Sequence, residues 1–252
     1  MIGLDLDGVI WRGRDPIPGA GAAVDRLRAA GHRCVFITNN SYRTVQEVVD
    51  RLGKAGVVAD PADIIGSAHA AAEVVAQLCD PGARVMVAGG PGIIEALGAR
   101  GYDAVSEGPA EALVVGWHPD FDYARLTAAM RVVRAGAQFV ATNRDPTFPT
   151  EDDLLPGGGS IVAAIAVASG VEPVVAGKPE APLARLILDQ FGSDGLMVGD
   201  QPSTDGALAG RLDWPFALVL SGVTDVAPAS GAAYVAADLG ALTDVLLDAS
   251  AS

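Results

Sequence analysis

Four short apolar runs in this sequence break off at charged or small polar residues. Ile2, Leu4 and Leu6 bracket Asp5 and Asp7; residues 33–37 lead to Thr38 and Asn39; residues 174–176 lead to Lys178; residues 196–198 lead to Asp200. Runs this short and this apolar suit strands buried on both faces, the habit of parallel sheets. Helical spacing fills the intervals. Ala22, Ala23, Leu27 and Ala30 recur on one face, and Gly31 ends that helix. The pattern predicts an α/β sandwich, a mostly parallel sheet with helices on both faces. Ligands of open α/β sheets bind beyond the carboxyl ends of the strands, so the residues that close the runs are the candidate site.

Between the second and third of these ends the chain starts an α/β alternation of its own. A short strand at 63–65 and a helix over 68–78 precede Asp80-Pro81-Gly82, a strong turn signal. Strands are expected at 84–88, 112–115 and 138–142, and helices at 93–100 and 123–135. This predicts an inserted α/β domain over 67–172, and a first domain made of 1–66 and 173–252. Residues 174–176 then read as a strand of the first domain, which a strand at 216–220 and a helix at 239–247 complete. The Gly89-Gly90-Pro91-Gly92 run lacks the spacing of a dinucleotide loop, and its proline removes an N–H that a phosphate would need.

Half of the residues are hydrophobic, enough to bury a real core, and few are aromatic. The formal charge of −14 and a pI near 4.4 argue against nucleic acid and anionic membrane as partners. An acidic protein still binds an anionic substrate where a metal and a lysine make the site locally positive. Cys34 and Cys79 are expected as free thiols, with Cys34 buried. No Cys/His cluster has zinc spacing, no apolar run is long enough to span a membrane, and no leader pattern stands before the first strand, so the expected location is cytoplasmic.

The strand ends carry recognisable chemistry. Asp5 and Asp7, one residue apart, repel unless a cation sits between them, and Mg²⁺ takes such oxygen ligands. Gly8 permits a sharp turn with bared N–H groups. Residues 9–18 read as a loop beside the carboxylates, either a flap or a plain connector. Thr38-Asn39-Asn40-Ser41 offers small polar groups for a phosphate, while Thr44 and Glu47 have capping-box spacing for a helix near 44–54. Lys178 is placed to reach a phosphate or to solubilise the surface. Asp205 falls early in a helix, where a carboxylate is favoured electrostatically. Residues 143–160 form a long proline-containing loop, read as a substrate loop, and a helix at 161–168 follows three glycines.

Together these ends resemble the four motifs of the haloacid dehalogenase superfamily, from Asp5-Leu6-Asp7-Gly8 to Leu220-Ser221-Gly222-Val223. The insert resembles the large α/β cap of the NagD and para-nitrophenylphosphatase-like group, which includes phosphoglycolate, glycerol-phosphate and pyridoxal-phosphate phosphatases. The resemblance implies a Rossmann-like core with a cap, and a Mg²⁺-dependent phosphatase of a small phosphorylated metabolite. It implies Asp5 as a nucleophile that becomes an aspartyl-phosphate and Asp7 as acid and then base. Thr38, Asn39 and Lys178 would bind phosphate. Asp5, the Asp7 carbonyl and Asp200 would ligate the metal, with Asp205 in support. Asn143, Asp145 and Thr147 of the cap loop would meet the substrate. A homodimer through the cap is also implied.

Two features depart from the group. Residues 150–153 bring extra acid where relatives carry a glycine before the leucine, and His118 stands where relatives often have an acid. Glycerol phosphate or phosphoglycolate is the favoured substrate class. Sugar phosphates, nucleoside monophosphates and pyridoxal phosphate stay open, as do a phosphotransferase and a catalytically silent small-molecule binding protein on the same scaffold.

Overall fold

A computed structural model describes residues 1–149, 154–226 and 231–250. The strands are β1 (Ile2–Leu4), β2 (Trp11–Arg12), β3 (Asp15–Pro16), β4 (Cys34–Thr38), β5 (Ile64–Gly66), β6 (Arg84–Ala88), β7 (Asp103–Val105), β8 (Ala112–Val115), β9 (Gln138–Ala141), β10 (Thr147–Pro149), β11 (Leu154–Pro156), β12 (Val174–Val175), β13 (Leu196–Gly199), β14 (Phe216–Val219) and β15 (Tyr234–Ala236). The α-helices are α1 (Ala20–Ala29), α2 (Val45–Lys54), α3 (Ser67–Leu78), α4 (Pro91–Gly98), α5 (Tyr123–Arg134), α6 (Gly158–Ser169), α7 (Ala181–Phe191), α8 (Ala207–Leu212) and α9 (Leu239–Ser250).

Six strands form one sheet in the order β15-β14-β13-β1-β4-β5, all pairs parallel. Every residue of β4 is buried. Alternate side chains serve opposite faces. Phe36 joins Leu4, Val198 and the inner sides of α1, α2 and α9. Val35 and Ile37 join Met197 and the inner sides of α3, α7 and α8. The predicted capping box also forms: Thr44 N donates to Glu47 Oε2 at 2.8 Å, and Glu47 N to Thr44 Oγ1 at 3.3 Å.

A second parallel sheet has the order β12-β9-β8-β6-β7. One face packs Met86, Leu113 and Phe139 on α5 and α6. The other turns Val85, Val114 and Val140 toward α3 and α4, in the same apolar cluster that holds Val35 and Ile37. Helix α3 therefore belongs to the cores of both sheets.

The strand at 174–176 departs from expectation. It does not return to the first sheet: Val174 lies opposite Val140, so β12 is the edge of the second. A run of two or three apolar residues carries no signal for which sheet edge it will join. The chain returns instead through Gly177, Lys178 and Pro179 without a strand, and α7 follows. β7 and β15, both at sheet edges, were not predicted; their partly exposed residues lack the dense apolar pattern of the central strands. The long loop at 143–160 contains an antiparallel hairpin, β10 with β11. α6 starts at Gly158, earlier than expected. A Cβ on Gly159 would lie 2.3 Å from Arg144 O, so the glycines let the helix start against the loop. Residues 9–18 fold as a tight hairpin, β2 with β3. Both cysteines are free, Cys34 buried, and burial pushes its thiol up to about 11. Among the described residues, no helix is long and apolar enough to cross a membrane.

Candidate active site

β1 lies between β4 and β13. The residues at the carboxyl ends of these three neighbours therefore emerge side by side, which brings Asp5, Thr38 and Asp200 to one edge. Lys178 arrives from outside the sheet and is clamped by Asn39. Its N–H donates to Asn39 Oδ1 at 2.7 Å, and Asn39 Nδ2 donates to its carbonyl at 3.0 Å. The Lys178 ammonium then sits 2.5 Å from Asp5 Oδ1 and 2.7 Å from Asp205 Oδ1, with the lysine only 4% exposed. Burial alone would favour a neutral amine, but Asp205 and Asp5 outweigh it and hold the lysine charged, above its ordinary value. Burial raises Asp5 well above the usual carboxylate range, against the pull of Lys178; Asp205, Asp200 and Asp7 raise it further.

Asp200 is wedged between two glycines. A Cβ on Gly8 would lie 2.4 Å from Asp200 Oδ2, and one on Gly222 only 2.0 Å away. Val223 N donates to the same oxygen at 2.6 Å, and Ser221 Oγ donates to Gly8 O at 2.7 Å. Burial raises Asp200 to about 6 despite the Val223 hydrogen bond. Asp205 lies in a turn of π-helix, Pro202–Gly206, and its Oδ2 accepts from Gln201 N at 3.1 Å. It thus satisfies the helix start as predicted and also pairs with Lys178.

Asp5, Asp200 and Asp205 each offer a carboxylate oxygen, and the three atoms lie within 4.8 Å of one another. A buried, oxygen-only donor set of this kind fits a hard divalent cation such as Mg²⁺. Asp205 belongs to this group alongside Asp200.

Asp7 follows the strand in a tight turn, where Leu6 O accepts from the N–H groups of Ile10 and Trp11 at 2.9 and 3.2 Å. Its Oδ1 accepts from Trp11 Nε1 at 2.9 Å. Burial raises this carboxyl, and Arg51 partly opposes the rise.

Thr38 is buried, and its Oγ1 accepts from Asn40 N at 3.0 Å. Asn39 was predicted to hold phosphate, but its side chain is committed to clamping Lys178 and to Asp145, whose Oδ2 takes Nδ2 at 3.0 Å. Any phosphate contact from Asn39 falls to its main chain. Asn143 Nδ2 donates to Asn39 O at 2.8 Å, and its Oδ1 accepts from Asp145 N. Burial raises the Asp145 carboxyl, against Asn39 and Lys178. Asn143 and Asp145 thus meet the first sheet's site loop. Thr147 does not: it is exposed at the start of β10. The acidic residues 150–153 lie outside the described residues. His118 Nδ1 accepts from Asp120 N at 3.0 Å, which ties a local turn.

Ser41 closes the small polar run that the sequence offers for a phosphate, and several other residues at the site gave no sequence signal of their own. Ser41, after β4, bonds Thr142, after β9, at 2.9 Å, which joins the two sheets, and Ser67 Oγ at the start of α3 donates to Asn39 O at 2.8 Å. Tyr42, Trp117 and Phe148 form successive edge-to-face ring contacts at 5.1 Å each. Serines and aromatics occur in every α/β protein, and only the meeting of distant segments marks these.

A doubly wound core with carboxylates and a lysine converging at its central strand ends is the architecture of haloacid dehalogenase-like hydrolases, and the chain belongs to that family. The family model described as haloacid dehalogenase-like hydrolase matches residues 2–103, and a second hydrolase-like model matches 175–242. Within the family it falls in the NagD-like, p-nitrophenylphosphatase-like group and is of the phosphoric monoester hydrolase class. An acid sugar phosphatase of Staphylococcus saprophyticus is 37% identical over 88% of this chain and 86% of its own length. A D-glycerol 3-phosphate phosphatase of Mycobacterium tuberculosis is 38% identical over 87% of this chain, which spans 62% of that longer protein. A crystal structure of a glycerol phosphate phosphatase from the same organism, in complex with magnesium, is 36% identical with a TM-score of 0.87 over 96% of this chain and 75% of that one. The p-nitrophenyl phosphatase of Archaeoglobus fulgidus is 33% identical with a TM-score of 0.86, over 96% of this chain and 98% of that one.

Proposed function

We propose that the protein is a Mg²⁺-dependent phosphatase of a small phosphorylated metabolite, of the glycerol phosphate or phosphoglycolate class, acting through an aspartyl-phosphate on Asp5. The observation that carries this reading is the Lys178 ammonium bridging Asp5 and Asp205 beside Asp200. An ionised carboxylate needs no base to attack phosphorus, but it must meet an anion. Lys178 offsets that repulsion and orients Asp5. The side chains of Asp5 and Asp200 and the Asp7 carbonyl would hold Mg²⁺, with Asp205 in support. Bound there, the ion supplies positive charge to the phosphoryl oxygens.

In the first step an Asp5 oxygen bonds to phosphorus as the bond to the substrate oxygen breaks. Asp7 gives its proton to the departing alkoxide. In the second, Asp7 takes a proton from water, whose oxygen attacks phosphorus and releases Asp5 and inorganic phosphate. Thr38 and the main chain of Asn39 bind the phosphoryl group. The second sheet and its hairpin form the cap, assigned to 67–172 from the sequence and extended by β12 to 175, and Asn143 and Asp145 join its loop to the core. The glycerol phosphate choice draws on the mycobacterial relative; the staphylococcal acid sugar phosphatase favours sugar phosphates as a second reading. A homodimer through the cap remains part of the proposal, and a monomeric mass in light scattering at all concentrations would end it.

The test is phosphate release from a panel of phosphorylated metabolites, with Mg²⁺ and with EDTA, by the wild type and Asp5→Asn. Mg²⁺-dependent release that disappears in Asp5→Asn is expected, and the ranking of the panel separates the substrate classes. Release that survives the substitution would overturn Asp5 as nucleophile.

A further inference from the structure

We propose that Trp11 and Arg51 are positioning residues that decide which oxygen of Asp7 carries the transferable proton; this rests on the reading of Asp7 as the acid. The indole N–H is a donor and never an acceptor. It lies 2.9 Å from Asp7 Oδ1. A protonated carboxyl accepts best on its carbonyl oxygen and donates from the other. Trp11 therefore holds Oδ1 as the acceptor, which leaves the proton on Oδ2, the oxygen free to turn toward a leaving group.

That assignment requires a fixed indole, and the surroundings fix it. Trp11 is 3% exposed. Its N–H donates to Leu6 O, and its carbonyl accepts from Gly8 N at 2.7 Å, so its main chain closes the turn that carries Asp7. The Arg51 guanidinium, from α2, covers the ring face 4.0 Å from its centroid and also donates to Gly13 O across the hairpin. Arg12 Nη2 donates to Gly222 O at 2.8 Å, tying the other side of the hairpin to the loop that holds Asp200. A hairpin of two-residue strands has little stability of its own. Its anchors on both sides keep it in one place. Trp11 and Arg51 are assigned no contact with the reacting atoms; they act through Asp7.

The leaving group provides the test. A p-nitrophenolate departs without a proton, whereas the alkoxide of glycerol phosphate needs one as its bond breaks. kcat/KM reports the first transfer to Asp5 for both substrates, so the ratio of the two values isolates acid assistance. Trp11→Phe keeps the ring under Arg51 and removes the N–H. It is expected to lower kcat/KM for glycerol 3-phosphate about tenfold more than for p-nitrophenyl phosphate, a part of what a general acid contributes. Arg51→Met shifts the ratio the same way and less. In an Asp7→Asn background Trp11→Phe leaves the ratio where Asp7→Asn alone put it, because the two changes remove one function.

Equal losses on both substrates, or a further shift of the ratio without Asp7, would overturn the assignment. If Trp11→Phe fails to fold by circular dichroism, the Arg51→Met ratio decides alone, and an unchanged ratio there overturns it. A ratio that Asp7→Asn itself leaves unchanged would sink Asp7 as the acid, and this assignment with it.

Discussion

The two halves of the candidate site are built differently. The strand-end half is charged, buried and tightly confined: one lysine between two carboxylates, and a third carboxylate between two glycines that leave no room for a Cβ. The hairpin half, from Thr142 to Phe148, is joined to the first sheet by a few side-chain hydrogen bonds and ring contacts. Buried charges are costly to leave unpaired, so the first half has few alternative arrangements. Amide bonds and edge-on rings are individually weak and adjust to a new neighbour. Under the proposed function, the difference suits a division of labour in which the rigid half would perform transfer and the adjustable half would choose the substrate.

The sharpest attempt to break this comparison is Lys178→Met. It leaves Asp5 and Asp205 facing each other without their cation. Phosphate release should fall by about 10³-fold. Urea unfolding in EDTA should report a loss of about 3 kcal/mol, the usual result of breaking a buried pair. A variant that keeps its stability would show that the strand-end half is not held by charge.

Gly222→Ala tests confinement instead of charge. The added methyl collides with Asp200, so the Mg²⁺ concentration for half-maximal activity should rise about 10- to 100-fold, with a smaller effect at saturating metal. An unaltered metal requirement would mean that Asp200 shifts without consequence.

The pH dependence follows from Asp200. Its carboxyl is raised by burial to about 6 in the folded protein, against about 4 in an unfolded chain. The folded state therefore binds the proton more tightly, and without metal this group adds stability as pH falls from above 6 toward 4. In EDTA, Asp200→Asn should melt higher than the wild type at pH 7, and the gap should narrow by pH 5. The metal competes with the same proton, so wild-type activation by Mg²⁺ should weaken as pH drops below about 6.

The smallest effect belongs to the hairpin half. Phe148→Leu removes one edge-to-face contact and should cost about 1 kcal/mol or less. It should change KM and the ranking of substrates more than kcat. A collapse of kcat on every substrate would show that the hairpin belongs to the transfer machinery.

The apolar runs and the residues that end them were legible because burial on both faces demands continuous apolar sequence, and a strand end demands a break in it. That logic located Asp5 and Asp200 before any geometry, and it marked the second α/β alternation; Asp205 stood out by its place early in a helix, and Lys178 by following an apolar run that in the fold joins the other sheet. Local capping rules were equally legible, as Thr44 and Glu47 show. Pairing partners were not. Val174-Val175 reads the same whichever sheet receives it, and its place beside Val140 depends on where the preceding helix leaves the chain. Nor could sequence spacing reveal that Asn39 spends its amide on Lys178, 139 residues away, or that Trp11 points its N–H at Asp7. The sequence by itself determined which residues could carry chemistry, because residue type and burial pattern are local properties. Only the tertiary structure decided which of them meet and which atom faces which, because those contacts depend on how distant segments pack.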